Sequence, residues 1–165
     1  MIITDDNTLM NPSVYLETTI VSYLAARTSR NIVVAAHQQL TRTWWERRTR
    51  FDLFVSQAVV DEAADGDPNV AKRRLALLEN IPVLALSSAV HDLAQQLLGA
   101  GVVPAKSTID AIHIAVAALN HMQYLLTWNC AHIANAAVRG KIDIACQNAS
   151  LRAPVICTPE ELMEA

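Results

Sequence analysis

The sequence predicts an α/β fold: a parallel sheet with helices on both faces. Two observations carry this. Short apolar or β-branched runs recur along the chain, and segments of helical period stand between them. Strands that alternate with helices pair in parallel, because a parallel connection needs a crossover. The composition agrees, with 52% hydrophobic and 18% charged residues and a mean hydropathy of +0.22. That excludes disorder and leaves apolar surface for an oligomer interface.

The elements follow in order. SVYLE, 13 to 17, alternates and stops at a threonine pair, which makes it the first strand. TTIVSYLAAR carries Ile20, Val21, Leu24 and Ala25 at helical spacing, with Thr18 or Thr19 placed to cap. Residues 31 to 48 form a second helix, with Val34, Leu40, Trp44 and Trp45 near one side. FDLFVS, 51 to 56, is a strand, and SQAVVDEAADGD is a short helix ended by Gly66. Pro68 opens a helix that stops before the turn at Pro82. PVLALS, 82 to 87, is a third strand, and SAVHDLAQQLLGAG is a helix with a glycine stop. Residues 105 to 122 are the most apolar helix, with Ile109, Ile112, Val116 and Leu119 on one stripe. QYLLTW, 123 to 128, is a strand; NCAHIANAAVRGKIDIACQNAS is mostly helical; PVICT is a last strand; and a terminal helix starts at Pro159. Residues 1 to 11 read as a loose polar lead-in to a single domain spanning 1 to 165, without linker, repeat or low-complexity tract.

Several function classes fall away. The net charge of −3 excludes a generally basic nucleic-acid binder, although nine of the thirteen Lys and Arg lie between Arg27 and Arg74. That basic region is a phosphate-facing surface or a solvated helix face. No apolar run is long enough to span a membrane, so no membrane partner is expected, and the N-terminus lacks a basic secretory region. Cys130, Cys146 and Cys157 have no metal-site spacing and read as packed, reduced thiols of a cytoplasmic protein. With four glycines and no phosphate-loop motif, a glycine-rich phosphate cradle is not expected.

Ligands of parallel α/β sheets bind outside the carboxyl ends of the strands. Glu17 and Asn129 both end strands and should face one crevice. Glu62 lies on the helix after the second strand, and Asp110 sits in the first turn of the apolar helix. Oxygen ligands of this kind suit Mg²⁺ or Mn²⁺ rather than zinc. Plainer readings stand beside this one. Asp110 complements a helix dipole, Glu62 is a solvated helix acid, and Glu17 and Asn129 are helix caps. His113 reads as a hydrogen-bonded core histidine, His132 as structural, and Trp44 and Trp45 as packing groups.

The order YLETTIVSYL, FVSQAVVDEAADGD, STIDAIHIAVAALNHMQYLLTWNCAHIANA and PVICTPEEL resembles PIN-domain proteins, nearest the VapC-type toxins of toxin–antitoxin systems. The likeness runs from about residue 13 to 162, and DAIHIAVAALNHMQYLLTWNCAHI is its most specific piece. It implies a three-layer α/β/α sandwich with a short, mostly parallel sheet, and a metal-dependent endoribonuclease. It maps the family's acidic positions onto Glu17, Glu62 and Asp110 as Mg²⁺ (or Mn²⁺) ligands. Asn129 falls at the fourth position, orienting water, and Thr19 is the hydroxyl partner. Glu17 departs from the family's usual Asp, and Asn129 removes one negative charge. The resemblance further implies an RNA substrate, a cognate antitoxin and a homodimer, and Arg42 to Arg50 is the stretch expected to meet the RNA backbone. Two other readings compete: a PIN-fold module that binds RNA or protein with weakened catalysis, and an acid-rich phosphohydrolase of small phosphate esters. The last expects an early nucleophilic Asp and a downstream lysine, for which Glu17 and Lys106 are poor matches.

Overall fold

A computed structural model describes residues 10 to 163. Most of the expected lead-in, residues 1 to 9, and the last two residues of the expected terminal helix lie outside that range. The elements are β1 (Ser13–Leu16), α1 (Thr18–Ala25), α2 (Ile32–Glu46), a 3-10 turn (Arg48–Arg50), β2 (Asp52–Ser56), α3 (Gln57–Ala64), α4 (Pro68–Leu78), β3 (Val83–Leu84), α5 (Ser88–Gly99), α6 (Thr108–Leu119), β4 (Tyr124–Leu126), α7 (Ala136–Asn148) and β5 (Val155–Cys157). The five strands form one parallel sheet in the order β3-β2-β1-β4-β5.

That order explains the layers. The chain steps from β1 to β3 in one direction, then returns past β1 to β4 and β5. Right-handed crossovers in opposite directions put their helices on opposite faces. Accordingly α1 to α4 pack on one another, and α5 packs on α6 and α7. The result is the α/β/α sandwich, and β1 at its centre is buried on both faces, with Val14, Tyr15 and Leu16 fully enclosed. The reversal also makes the gap between β1 and β4 the topological switch point, where such sheets bind ligands at the strands' carboxyl ends.

Several elements differ from expectation. The first strand stops at Leu16, and Glu17 itself caps α1, its Oε2 accepting the Thr19 N–H at 3.1 Å. Thr18 and Thr19 lie inside the helix. The third strand shrinks to two residues at the sheet edge. Residues 130 to 134 are turns, and α7 starts only after Asn135, whose side chain accepts the Ala137 N–H at 2.9 Å. Residues 159 to 163 form turns rather than a helix, because Glu161 folds back to accept the Thr158 N–H at 2.9 Å.

The expected stripe on α6 is not its buried face. Ile109 is exposed and Ile112 and Leu119 are half-buried, while Ala111, Ile114, Ala115 and Ala118 are enclosed with Val116. A helix apolar almost all round shows little periodicity, and its alanines take the tightest contacts. Cys146 and Cys157 are buried, but Cys130 is exposed; all three are free thiols. No helix among the described residues is long and apolar enough to cross a membrane.

Candidate metal centre

Parallel register brings the strand-end residues together. Leu16 pairs with Leu126, so Glu17 and Thr127 emerge side by side at the switch point. The Glu17 N–H donates to the Leu126 carbonyl at 3.0 Å. The Thr127 hydroxyl donates to Glu17 Oε2 at 2.7 Å, and the Thr19 hydroxyl reaches the same oxygen. With the capping bond, three donors hold one oxygen of a carboxylate that is only 4% exposed. Such donors offset the cost of burying the charge.

Glu62 projects from α3 towards this point. Its Oε2 accepts from the Thr18 hydroxyl and from His113 Nε2, the latter at 2.9 Å. Burial alone would raise the Glu62 pKa, but the hydrogen bonds from His113 and Thr18 and the histidine's charge outweigh it and pull it below the usual glutamate value. The ligand atoms of Glu17, Glu62 and His113 all lie within 4.8 Å of one another. Two carboxylates this close repel when both are ionised, and a cation relieves that repulsion.

Asp110, on α6 one turn before His113, belongs to an adjoining network. Its Oδ1 accepts from Asn129 Nδ2 at 2.9 Å, and its Oδ2 pairs with His132 Nδ1 at 2.8 Å. Asn129 Oδ1 accepts the His132 N–H at 3.1 Å, so the amide is engaged at both ends. Thr127 links the two halves, since its hydroxyl oxygen accepts the Asn129 N–H at 2.9 Å while donating to Glu17. Thr19, Glu17 and Glu62 thus form one cluster with His113. Asp110 and Asn129 form a second with His132, joined to the first through Thr127. Asn129 caps the turn that follows it rather than α7.

Sequence reasoning did not single out Thr127 or Tyr15, gave Thr18 only a capping role, and set His113 and His132 aside as structural. His113 stands three residues after Asp110 and therefore on the same helix face, a signal that was available. Thr127 was visible only as a near neighbour of Asn129.

The basic stretch lies elsewhere. His37 of α2 stacks on Trp128, just beyond β4, with ring centroids 4.0 Å apart and planes at 13°. Trp128 Nε1 donates to Thr41 at 2.7 Å. Seven residues further along α2 from His37, Trp44 stacks on Phe51, which precedes β2, at 5.6 Å. Helix α2 therefore runs from the carboxyl to the amino end of the sheet. Arg48 covers the Trp45 ring at 4.6 Å, and Arg47 and Arg48 flank the start of β2, about 16 Å of strand from the carboxylates.

Carboxylates at a β1/β4 switch point, carried on strand ends and on two helix faces, define an α/β sandwich with an acidic crevice. A chain in the structure of VapBC2 from Rickettsia felis, bound to a DNA fragment from their promoter, has the same fold: the TM-score is 0.55 and the identity 12%, covering 88% of this chain and 98% of that one. The likeness shows that this chain has the PIN-type fold its sequence resembles. No family model matches the sequence, and no curated protein matches it.

Proposed function

We propose that this protein is a divalent-metal-dependent endoribonuclease, acting as one domain and as the toxin of a toxin–antitoxin pair. The observation that carries this reading is the juxtaposition of Glu17 and Glu62 within 4.8 Å at the switch point of a PIN-type sheet, with Asp110 tied to the same wall. The donor set fits the ion. Glu17, Glu62 and Asp110 offer hard carboxylate oxygens, which suit Mg²⁺ or Mn²⁺. When bound, the ion supplies an activated water and neutralises charge on a phosphodiester. The protein's own part is positioning. Thr19 and Thr127 hold Glu17, Thr18 and His113 hold Glu62, and Asn129 and His132 hold Asp110. Each acid keeps a second oxygen or lone pair for the ion.

The same charge suggests the partner. A crevice built to attract a cation also attracts an Arg or Lys side chain, so a cognate antitoxin would place a basic segment there. Exposed Ile32 and Val33 at the start of α2 offer apolar surface for a homodimer or for that antitoxin. The cytoplasm is the proposed location.

Cleavage of single-stranded RNA at millimolar Mn²⁺, abolished by chelator and by Asp110→Asn, is the expected result. A protein that binds Mn²⁺ and RNA but leaves the RNA intact in single-turnover assays has the alternative role, that of a binding module.

A further inference from the structure

Three polar side chains lie wholly inside the protein behind the carboxylates. Tyr15 and Ser56 are 0% exposed and His113 is 1% exposed. They come from β1, β2 and α6, and they form a line. The Ser56 and Tyr15 hydroxyls are 2.7 Å apart, the Tyr15 hydroxyl is 2.7 Å from His113 Nδ1, and His113 Nε2 is 2.9 Å from Glu62 Oε2. Buried polar groups are costly unless each finds a partner, and here each does.

Counting hydrogens settles the direction of the line at its outer end. The phenol has one hydrogen and two neighbours. When Tyr15 donates to Nδ1, Ser56 donates to Tyr15 and the imidazole hydrogen is on Nε2. When Nδ1 instead donates to Tyr15, a bare Nε2 would set a lone pair against Glu62 Oε2 at 2.9 Å, an oxygen that already accepts from Thr18. That arrangement is repulsive unless Nε2 is protonated as well. Every arrangement compatible with an ionised Glu62 puts a hydrogen on Nε2.

We propose that Ser56, Tyr15 and His113 form a buried relay that holds the Nε2 hydrogen on Glu62, making His113 a positioning residue for that carboxylate and not a metal ligand. The inference rests on the reading of Glu62 as a ligand and deepens it. Glu17, Glu62 and His113 are close enough to share one ion, and nitrogen in that set would favour zinc. With Nε2 carrying hydrogen, the set contributes oxygen alone. A ligand's outer partner fixes its orientation, and losing that partner lowers metal affinity about 10- to 100-fold.

Nitrogen-15 NMR of histidine-labelled, metal-free protein reads the hydrogen directly. His113 is expected to carry it on Nε2; a bare Nε2 overturns the relay. Mn²⁺ titration of the full chain reads the positioning. Tyr15→Phe keeps the ring and removes the phenol oxygen, and it should weaken Mn²⁺ binding about tenfold or more. His113→Leu should weaken it further, while His113→Gln, whose amide still donates, should recover most of the affinity. Wild-type Mn²⁺ affinity in Tyr15→Phe overturns the proposal, and so does an affinity that shifts towards Zn²⁺ with intact His113. The nuclease reading fails separately. A protein that binds Mn²⁺ through this relay but cuts no RNA keeps the relay and loses the ribonuclease. One that cuts RNA with a bare Nε2 does the reverse.

Discussion

Thr127→Val tests how the crevice wall is held. The Thr127 side chain is fully buried, and its one oxygen donates to Glu17 at 2.7 Å and accepts from the Asn129 N–H at 2.9 Å. Valine keeps the shape and removes both bonds. A hydrogen bond to a charged acceptor contributes about 1.5 to 3 kcal/mol. The Asn129 backbone is half-buried and partly rehydrates, which holds the second loss to about 1 kcal/mol. The two bonds share an atom, so the expected cost is about 2 to 4 kcal/mol. In a chain of 165 residues each kcal/mol moves Tm by about 2 to 4 °C, which gives a fall of roughly 5 to 15 °C. Urea unfolding measures the free energy, and an unchanged slope shows that stability changed without a change in the surface exposed on unfolding. Thr127→Ser keeps the hydroxyl and should lose less than half as much. A Thr127→Val protein within about 0.5 kcal/mol of wild type refutes the idea that this hydroxyl holds Glu17 and Asn129 together.

Three further outcomes are expected. Mn²⁺ at 100 times its dissociation constant should stabilise the wild type by about 2.7 kcal/mol, and Glu62→Gln should lose most of that shift in thermal melts. The folded Glu62 pKa is depressed, so its contribution to stability is present above the unfolded pKa and is lost as pH falls through the folded value; the gap between wild type and Glu62→Gln in metal-free urea unfolding should therefore be full at neutral pH and close in the acid range below the usual glutamate pKa. Reversing charge at Arg47 and Arg48 should leave the salt slope of RNA binding unchanged, because both flank the amino end of β2; a slope that falls by one or more would put RNA on that edge instead.

The long apolar features were legible in the sequence. Strands β1 and β2 and helix α6 stand close to where the apolar runs put them, while β4 ends at Leu126 and not at the expected residue 128. The rule for parallel sheets still pointed to the right end of the sheet, with Glu17 just after β1 and Asn129 three residues beyond β4. What failed was local competition. Asn129 and Asn135 are both strong caps six residues apart, and the sequence does not say which opens the helix; Ile133 is pulled into the core between them, and the intervening residues turn. At Pro159 a helix start was overridden by Glu161, which bonds back to Thr158 and pairs with Arg139 at 3.2 Å. The site's inner partners were illegible for a different reason. Tyr15 meets Ser56 across 41 residues and His113 across 98, and only the sheet order makes such pairs neighbours.

The one exposed thiol offers a practical handle. Cys130 is exposed and directly follows Asn129, whose side chain bonds to Asp110. The other two thiols are enclosed: burial pushes Cys157 up to about 12 and also raises Cys146, which starves both of reactive thiolate. A maleimide dye or nitroxide added to the unmodified chain should therefore attach at one place, without any engineered cysteine. Paramagnetic Mn²⁺ in the crevice would then quench or relax that label, so occupancy becomes a spectroscopic signal that needs neither substrate nor turnover.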